Sequence, residues 1–137
     1  MVCVIDCSFI MAVAMPDERS ALVCERFDAI ERDAGELLVP HLWWLETTNV
    51  LMNAIRRGRL TLNDALERRK LIDSYNFSTD QAYGAEYGGR LLALCALHDL
   101  SAYDAAYLEL AIRKKARLAT LDVRLKRSAE ASGLSVI

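Results

Sequence analysis

The chain has 137 residues, of which 53% are hydrophobic and 26% are charged, and its formal net charge is −2 at pH 7. This length and composition predict one domain with a substantial core, and the slightly negative charge argues against a protein that coats nucleic acid over its whole surface. The charge is unevenly placed, because residues 1–55 hold nine acidic residues against three arginines, whereas residues 56–137 hold ten against fourteen lysines and arginines. Such a division favours a local acidic pocket beside a basic surface.

The cysteines and the apolar segments exclude other classes of protein. The four cysteines show no CxxC spacing, so we do not expect a thiolate zinc site and interpret them as buried thiols. The longest apolar stretch, LLALCALHDL, is too short and too polar to span a bilayer, and no basic segment followed by a long apolar run opens the chain. We therefore expect a cytoplasmic protein with no membrane span and no signal peptide.

Short apolar segments alternate with helical ones along the chain. Strands are predicted at residues 2–5, 37–39, 117–121 and 134–137, with a further short strand near Phe77. A first helical segment ends at Pro16 and Asp17, and later helices are predicted over residues 18–35, 41–58, 62–75, 77–100 and 101–116. This alternation indicates right-handed crossovers and a parallel sheet covered on both faces, in which ligands bind beyond the carboxyl ends of the strands.

Four carboxylates recur beside strand ends and helix starts. Asp6 and Asp122 each follow a predicted strand, Glu46 lies within two helical turns of the second strand, and Asp104 lies in the first turn of its helix. If the crossovers bring these positions to the same edge of the sheet, the four carboxylates converge. Clustered carboxylates repel one another and are tolerated chiefly when a cation neutralises them, and a set of oxygen ligands suits Mg²⁺ or Mn²⁺.

Each of these carboxylates also has a purely structural interpretation. Asp6 could turn the chain or cap the next helix. Ser101 and Asp104 have the spacing of a capping box, and Asp122 could cap the final helix. Glu46 could be an ordinary solvated helix residue. Taken one at a time, these structural interpretations are the simpler ones, and only the joint pattern points to a metal site.

Four stretches of the chain carry a resemblance to a known family. They are VIDCSFIMA, PHLWWLETTNVL, LSAYDAAYLELA and LATLDVRLKRSAEASGL, and together they reach from Val4 to Leu134. Through them the sequence resembles the PIN-domain ribonucleases and, within that family, the VapC-type toxins of bacterial type II toxin–antitoxin pairs. The resemblance implies a single PIN domain over residues 1–137, with a three-layer α/β/α fold around a central parallel sheet of four to five strands.

The resemblance also implies an activity and the residues that perform it. It implies a Mg²⁺- or Mn²⁺-dependent endoribonuclease that inhibits translation, in which the catalytic and metal-binding residues are Asp6, Glu46, Asp104 and Asp122. The metal would activate a water and neutralise charge on the phosphodiester as that water attacks in line.

Three polar residues are expected to support these carboxylates. The resemblance gives Thr120 a supporting hydroxyl role. Ser8 is expected to support the turn after Asp6, and Asn49 shares a helix face with Glu46.

The resemblance implies three partners, namely an RNA substrate, a second copy of the chain and a VapB-like antitoxin. We expect the antitoxin tail to lie in a groove near the helix of Trp43 and Trp44 and to present a basic side chain to the acidic site. Adjacent tryptophans on a helix cannot both face the core, so one of them could line a partner surface. The candidate contacts to RNA phosphates are Arg56, Arg57, Arg59, Arg113, Lys114, Lys115, Arg124 and Lys126.

Other functions fit the sequence less well. A haloacid-dehalogenase-like phosphatase needs a second Asp two residues after the first, where this chain has Ser8. A receiver-type phosphoacceptor domain needs paired acidic residues early in the chain and a lysine after a late strand. A non-catalytic PIN-fold module that binds protein or RNA remains the alternative from a different class, and metal-dependent cleavage of RNA would distinguish it from the enzyme.

Overall fold

The computed structural model describes residues 1–15 and 20–137. The strands over these residues are β1 (Val2–Ile5), β2 (Glu36–Val39), β3 (Ser78–Thr79) and β4 (Arg117–Ala119). The helices are α1 (Cys7–Ala14), α2 (Ala21–Asp33), α3 (Leu42–Arg56), α4 (Leu62–Asp73), α5 (Ala85–His98), α6 (Ala102–Lys114) and α7 (Val123–Ala131). The predicted helix break at Pro16 and Asp17 lies outside the described residues. Across the part of the chain that is described, no helix is both long and apolar enough to cross a membrane.

The strands form one parallel sheet in the order β3-β2-β1-β4. On one side α1 packs against α2, α3 and α4, whereas α6 packs against α5, α7 and the strands β1 and β4. The register places Ile5 of β1 beside Ala119 of β4, so the residues that follow these two strands leave the sheet side by side. The predicted three-layer α/β/α fold with a central parallel sheet is therefore confirmed.

The carboxyl-terminal segment forms less of a strand than the sequence predicts. Over residues 134–137 the pairing with the sheet is one parallel bridge between Leu118 and Val136. The Leu118 N–H donates to the Ser135 carbonyl at 3.0 Å, and the Ile137 N–H donates to the Leu118 carbonyl at 2.9 Å. The sheet thus has four strands, and the carboxyl-terminal segment adds a single bridge on the outer side of β4.

The segment before α5 is also less helical than predicted. The predicted helix over residues 77–100 begins only at Ala85, because β3 and a loop occupy the residues before it. Gly84 precedes the helix with a φ of +94°, a backbone conformation that side-chain-bearing residues rarely adopt. The short strand expected near Phe77 is present as β3.

The two tryptophans of α3 are both withdrawn from solvent. Trp43 is fully buried, and Trp44 is half-buried with its indole N–H donating to the Thr79 hydroxyl at 2.8 Å. The rings pack edge to face with their centroids 4.9 Å apart. Leu45, which is 71% exposed, is the large apolar residue that this turn of α3 presents to solvent. Trp44 keeps part of its surface accessible, so the expectation that one tryptophan could line a partner surface stays a prediction, with Leu45 as the more exposed neighbour.

A buried carboxylate joins the helices of the other layer. The side chain of Glu109 on α6 is only 3% exposed, and it accepts hydrogen bonds from Arg90 of α5 at 2.9 Å and from Arg113 at 2.8 Å. Arg113 continues the network to Asp80, which lies just after β3, at 2.7 Å. A charge this deeply buried is tolerated only when it is paired and hydrogen-bonded, so this network fixes how α5 packs on α6.

This network predicts that Glu109→Ala destabilises the fold. The two arginines would lose their buried partner, although both reach partly into water, so we expect the free energy of unfolding to fall by about 2–3 kcal/mol in urea denaturation. Glu86→Ala is the matched control, because Glu86 pairs with the same Arg90 but its side chain is 92% exposed. Equal effects of the two substitutions would contradict a structural role for the buried carboxylate.

Candidate metal site and active site

The carboxyl ends of β1 and β4 form the floor of an acidic cavity. The Asp6 N–H donates to the Ala119 carbonyl at 2.9 Å, which ties the residue after β1 to the last residue of β4. Asp6, Glu46, Asp104 and Asp122 all line this cavity, whose volume is about 580 Å³. The fold therefore brings together the four carboxylates that the sequence singles out. We call this cavity the acidic cavity.

Asp6 is the most buried of the four carboxylates, with 6% of its surface exposed. Its Oδ2 atom accepts hydrogen bonds from the Ser8 hydroxyl at 2.6 Å and from the Thr120 hydroxyl at 2.7 Å. Burial raises the pKa of Asp6, the two hydroxyls lower it, and the nearby charge of Asp104 raises it again. The hydrogen bonds therefore orient the carboxylate without neutralising its charge.

The two hydroxyls are themselves held by the backbone after β4. Ser8 accepts from the Leu121 N–H at 3.0 Å, and Thr120 accepts from the Asp122 N–H at 3.0 Å. Because each hydroxyl already accepts a backbone hydrogen bond, its own proton is directed to Asp6. Ser8 and Thr120 therefore both hold the Asp6 carboxylate, and their role in catalysis stays a prediction.

Glu46 reaches the cavity from α3 and is half-buried there. Its Oε1 atom accepts a short hydrogen bond from the hydroxyl of Tyr107 on α6. Burial raises the pKa of Glu46, the Tyr107 hydroxyl lowers it, and the charges of Asp6 and Asp104 raise it. Burial also raises the pKa of Tyr107, so the phenol keeps its proton and acts as the donor.

Asp104 and Asp122 enter the cavity from the first turns of two helices. The Asp104 N–H donates to the Ser101 hydroxyl, which caps α6, at 3.1 Å. Burial raises the pKa of Asp104, and the charge of Asp122 raises it further. Asp122 caps α7 by accepting from the Leu125 N–H at 2.8 Å. Ser101 and Asp122 thus cap their helices as the sequence suggests. The carboxylates of Asp104 and Asp122 line the cavity as well.

Asn49 lies beside the acidic cavity and not in it. It lines a neighbouring cavity of about 660 Å³ together with Leu45, Glu46, Met52 and Tyr103, among other residues. Glu46 is therefore the residue that the two cavities share. Glu46 and Asn49 both line this neighbouring cavity, as their shared helix face predicts, but Asn49 does not line the acidic cavity with the other carboxylates.

The donor set of the acidic cavity fits a hard divalent cation. All four candidate ligands are carboxylates, and burial together with mutual repulsion raises the pKa of Asp6, Glu46 and Asp104. Within residues 1–15 and 20–137, no group of three or more His, Cys, Asp or Glu side chains is already arranged as an ion site. A cation would therefore have to draw these side chains together, and it would relieve their repulsion in doing so.

Two of the predicted RNA-binding cations, Arg113 and Arg124, differ in their surroundings. Arg113 belongs to the Glu109 network and has a structural role. Arg124 lies near the acidic cavity, because its charge lowers the pKa of Asp104. It donates to the Asp99 carboxylate at 2.8 Å, and both side chains are mostly exposed. Arg124 is thus an exposed cation whose charge acts on Asp104, although it does not line the acidic cavity.

Tyr107 is the site residue that the sequence analysis missed. It lies three residues after Asp104 on α6, so the two side chains share one face of the helix. That spacing was a usable signal, but a tyrosine in an apolar helix is more often a core residue. Its hydrogen bond depends on where α3 places Glu46, which is a tertiary contact.

Comparison with known proteins shows the family to which the chain belongs. Residues 3–131 match the PIN domain. Ribonuclease VapC3 of Pyrobaculum aerophilum is 33% identical over 123 residues, which cover 89% of this chain and 90% of that protein.

Two crystal structures share the fold. PAE2754 from Pyrobaculum aerophilum has a TM-score of 0.74 and 21% identity over 99% of this chain and 83% of that chain. VapBC2 from Rickettsia felis, bound to a DNA fragment from its promoter, has a TM-score of 0.73 and 12% identity over 100% of this chain and 98% of that chain. On the match over residues 3–131 and on its VapC relative, the chain belongs to the PIN-domain family and to its VapC-type members.

Proposed function

We propose that this protein is a Mg²⁺- or Mn²⁺-dependent endoribonuclease and the toxin of a toxin–antitoxin pair. The observation that carries the proposal is the convergence of Asp6, Glu46, Asp104 and Asp122 on one cavity at the carboxyl edge of the sheet. The ribonuclease named among its relatives supports RNA as the substrate class. Cleavage of RNA would inhibit translation, and the cytoplasm is where such a substrate is found.

In this proposal the four carboxylates hold the cation. A bound divalent ion supplies a water activated for attack and positive charge beside the scissile phosphate. Ser8 and Thr120 hold the Asp6 carboxylate in a fixed orientation, and Tyr107 does the same for Glu46. Asp104 lies in the first turn of α6, and Asp122 caps α7, so the backbone of each helix start fixes where its carboxylate begins.

The RNA backbone is proposed to approach over the mouth of the cavity. Arg124 would contact the backbone on this path, because its charge acts on Asp104 and its partner Asp99 is exposed, so a phosphate could exchange with that carboxylate. Contacts of this kind position the backbone and carry little sequence information. The choice of RNA would then depend on the surface around the cavity.

The first test of the proposed function is Asp104→Asn. This substitution keeps the shape of the side chain and removes its charge, so we expect cleavage of RNA with Mn²⁺ present to fall by on the order of a hundredfold or more. Mn²⁺ should raise the melting temperature of the unsubstituted protein and raise that of the variant much less. Asp28→Asn is the matched control, because Asp28 is an exposed residue of α2 outside the cavity.

The same variants test the proposed role in cells. Expression of the unsubstituted protein or of Asp28→Asn without an antitoxin should arrest growth and protein synthesis, and expression of Asp104→Asn should not. Cleavage by Asp104→Asn at the unsubstituted rate would refute the catalytic assignment. A folded protein that binds Mn²⁺ but cleaves no RNA would favour the non-catalytic binding module.

The raised carboxylate pKa values predict opposite effects of pH on metal binding and on stability. Metal ligands must be deprotonated, so Mn²⁺ affinity is full above the raised pKa values of Asp6, Glu46 and Asp104 and is lost as the pH falls through them. The loss should begin above the ordinary values of 3.8 for Asp and 4.5 for Glu. Over the same fall in pH, protonation of these three groups should make the metal-free protein more stable, because burial and the neighbouring negative charges destabilise their ionised form.

Two titrations check this prediction. Mn²⁺ binding is measured across the acidic range, and urea unfolding of the metal-free protein is measured at the same pH values. Asp104→Asn should show a smaller gain in stability on acidification than the unsubstituted protein. The prediction would be contradicted if the stability of the metal-free protein fell steadily from neutral pH downwards and if Asp104→Asn showed the same dependence of stability on pH.

The antitoxin is proposed to bind along an apolar channel that leads to the acidic cavity. Leu45 and Tyr103, which are 71% and 65% exposed, line both a groove of about 570 Å³ and the cavity of about 660 Å³ that contains Glu46. A VapB-like tail with apolar residues in the channel could place an Arg or Lys against the carboxylates. The VapBC pair from Rickettsia felis supports a partner of this class.

This channel predicts that Leu45→Ser weakens inhibition by the antitoxin by about tenfold, because an exposed apolar anchor is lost. The measurement is inhibition of RNA cleavage by the cognate VapB-like antitoxin. Leu62→Ser on α4 is the matched control, because Leu62 is 62% exposed and does not line the channel. Excess Mn²⁺ should partly relieve inhibition. A complex that inhibits fully with all four carboxylates open to solvent would point instead to a blocked RNA path.

A homodimer is the remaining part of the proposal. The helix α5 has no buried residue along its length, and its Leu92 and Leu97 are 72% and 75% exposed. Exposed leucines on one helix are a typical feature of an interface between subunits. A second copy of the chain packed on α5 would cover them.

A further inference from the structure

We propose that Tyr107 is a positioning residue. Its buried hydroxyl lies outside the lining of the acidic cavity and holds the carboxylate of Glu46 on α3 in position to bind the metal. This inference rests on the proposed function, because it assigns a role within the same metal site. It concerns a residue that contacts neither the metal nor the RNA. Tyr107 acts through Glu46 alone.

The position of Tyr107 supports this role. Its side chain is fully buried, and it is not among the residues that line the acidic cavity. Its hydroxyl donates to Glu46 Oε1, and this bond joins α6 to α3 across the two sides of the site. Because Asp104 precedes it by three residues on the same face of α6, one helix supplies a carboxylate and the anchor of a second carboxylate.

Glu46 needs such an anchor more than the other carboxylates do. It has the longest side chain of the four, so it has the most rotational freedom to lose. The negative charges of Asp6 and Asp104 act on it, and it is only half-buried, so an unrestrained side chain would move toward solvent. The hydrogen bond from Tyr107 opposes this movement, and the buried ring cannot follow it.

A merely structural role for Tyr107 is the competing interpretation. A buried phenol requires a hydrogen-bond partner, and Glu46 could serve only to satisfy it. In that case loss of the hydroxyl would change the stability of the core but would not act on metal binding through Glu46. The two interpretations therefore differ in whether the effects of Tyr107 and Glu46 on metal affinity are coupled.

The experiment is a double-mutant cycle on Mn²⁺ affinity, measured by the paramagnetic resonance signal of free Mn²⁺ with the full chain at one fixed pH. The variants are Tyr107→Phe, Glu46→Asp and the double variant, each checked for folding by circular dichroism. Glu46→Asp keeps the charge, but its shorter side chain cannot keep the bond to Tyr107. Tyr83→Phe is the control, because Tyr83 is 87% exposed and does not line the acidic cavity.

If the inference is correct, Tyr107→Phe weakens Mn²⁺ binding by about tenfold, as expected for loss of a hydrogen bond that orients a metal ligand. Glu46→Asp weakens it by a similar factor, and the double variant is no weaker than Glu46→Asp alone, because both changes break the same bond. Tyr83→Phe leaves the affinity unchanged. Glu46→Asp also withdraws the carboxylate from the metal, so the double variant, and not Glu46→Asp alone, decides whether Tyr107 acts through Glu46.

Three results would overturn the inference. Unchanged affinity in either single variant, while the unsubstituted protein binds Mn²⁺, would remove the positioning role and leave the metal site intact. Losses that multiply in the double variant would show that Tyr107 does not act through Glu46. Failure of the unsubstituted protein itself to bind Mn²⁺ would overturn the metal-dependent function, and this inference with it.

Discussion

The burial of carboxylates beside one another at one edge of the sheet is the constraint on which the rest of the site depends, and their mutual repulsion adds to it. Asp6, Glu46 and Asp104 each have a raised pKa, so the metal-free fold holds them together at a cost. What offsets that cost is a set of fixed neutral donors, namely the hydroxyls of Ser8 and Thr120, together with that of Tyr107 behind the site. None of these donors cancels the negative charge, which therefore stays available to a cation.

The protein buries carboxylates in two different ways, and the difference separates structure from function. Glu109 is surrounded by two arginines, and its charge is permanently satisfied within the α5–α6 pair. Asp6 is almost as deeply buried, but its side-chain partners are hydroxyls. The negative charge of a carboxylate paired with arginine is already compensated, whereas that of a carboxylate held by neutral donors is still available to attract a metal ion. The helix α6 contributes to both arrangements, from Asp104 in its first turn and from Glu109 near its middle.

Much of this arrangement could be predicted from the sequence, because it follows from local signals. The end of an apolar strand locates Asp6, and a capping serine locates the start of α6 one turn before Asp104. A further local signal of this kind is Thr61, which caps α4 in a capping box with Asp64. The sequence could not show the Tyr107 hydrogen bond or the Glu109 network, because each joins elements far apart in the chain. It also could not show that both tryptophans are withdrawn from solvent, since helical periodicity alone leaves one of two adjacent residues outside.

The two tryptophans of the chain stand together at the start of α3, one turn from Glu46. One indole lies in the core, and the other is bonded to Thr79 and lies against the guanidinium of Arg69, whose central carbon is 4.9 Å from the ring centroid. Tryptophan fluorescence of this protein, excited beyond the absorption of its five tyrosines, therefore originates from a single turn of a single helix. Its emission is a label-free optical signal from the element that carries Glu46, and it needs no engineered chromophore.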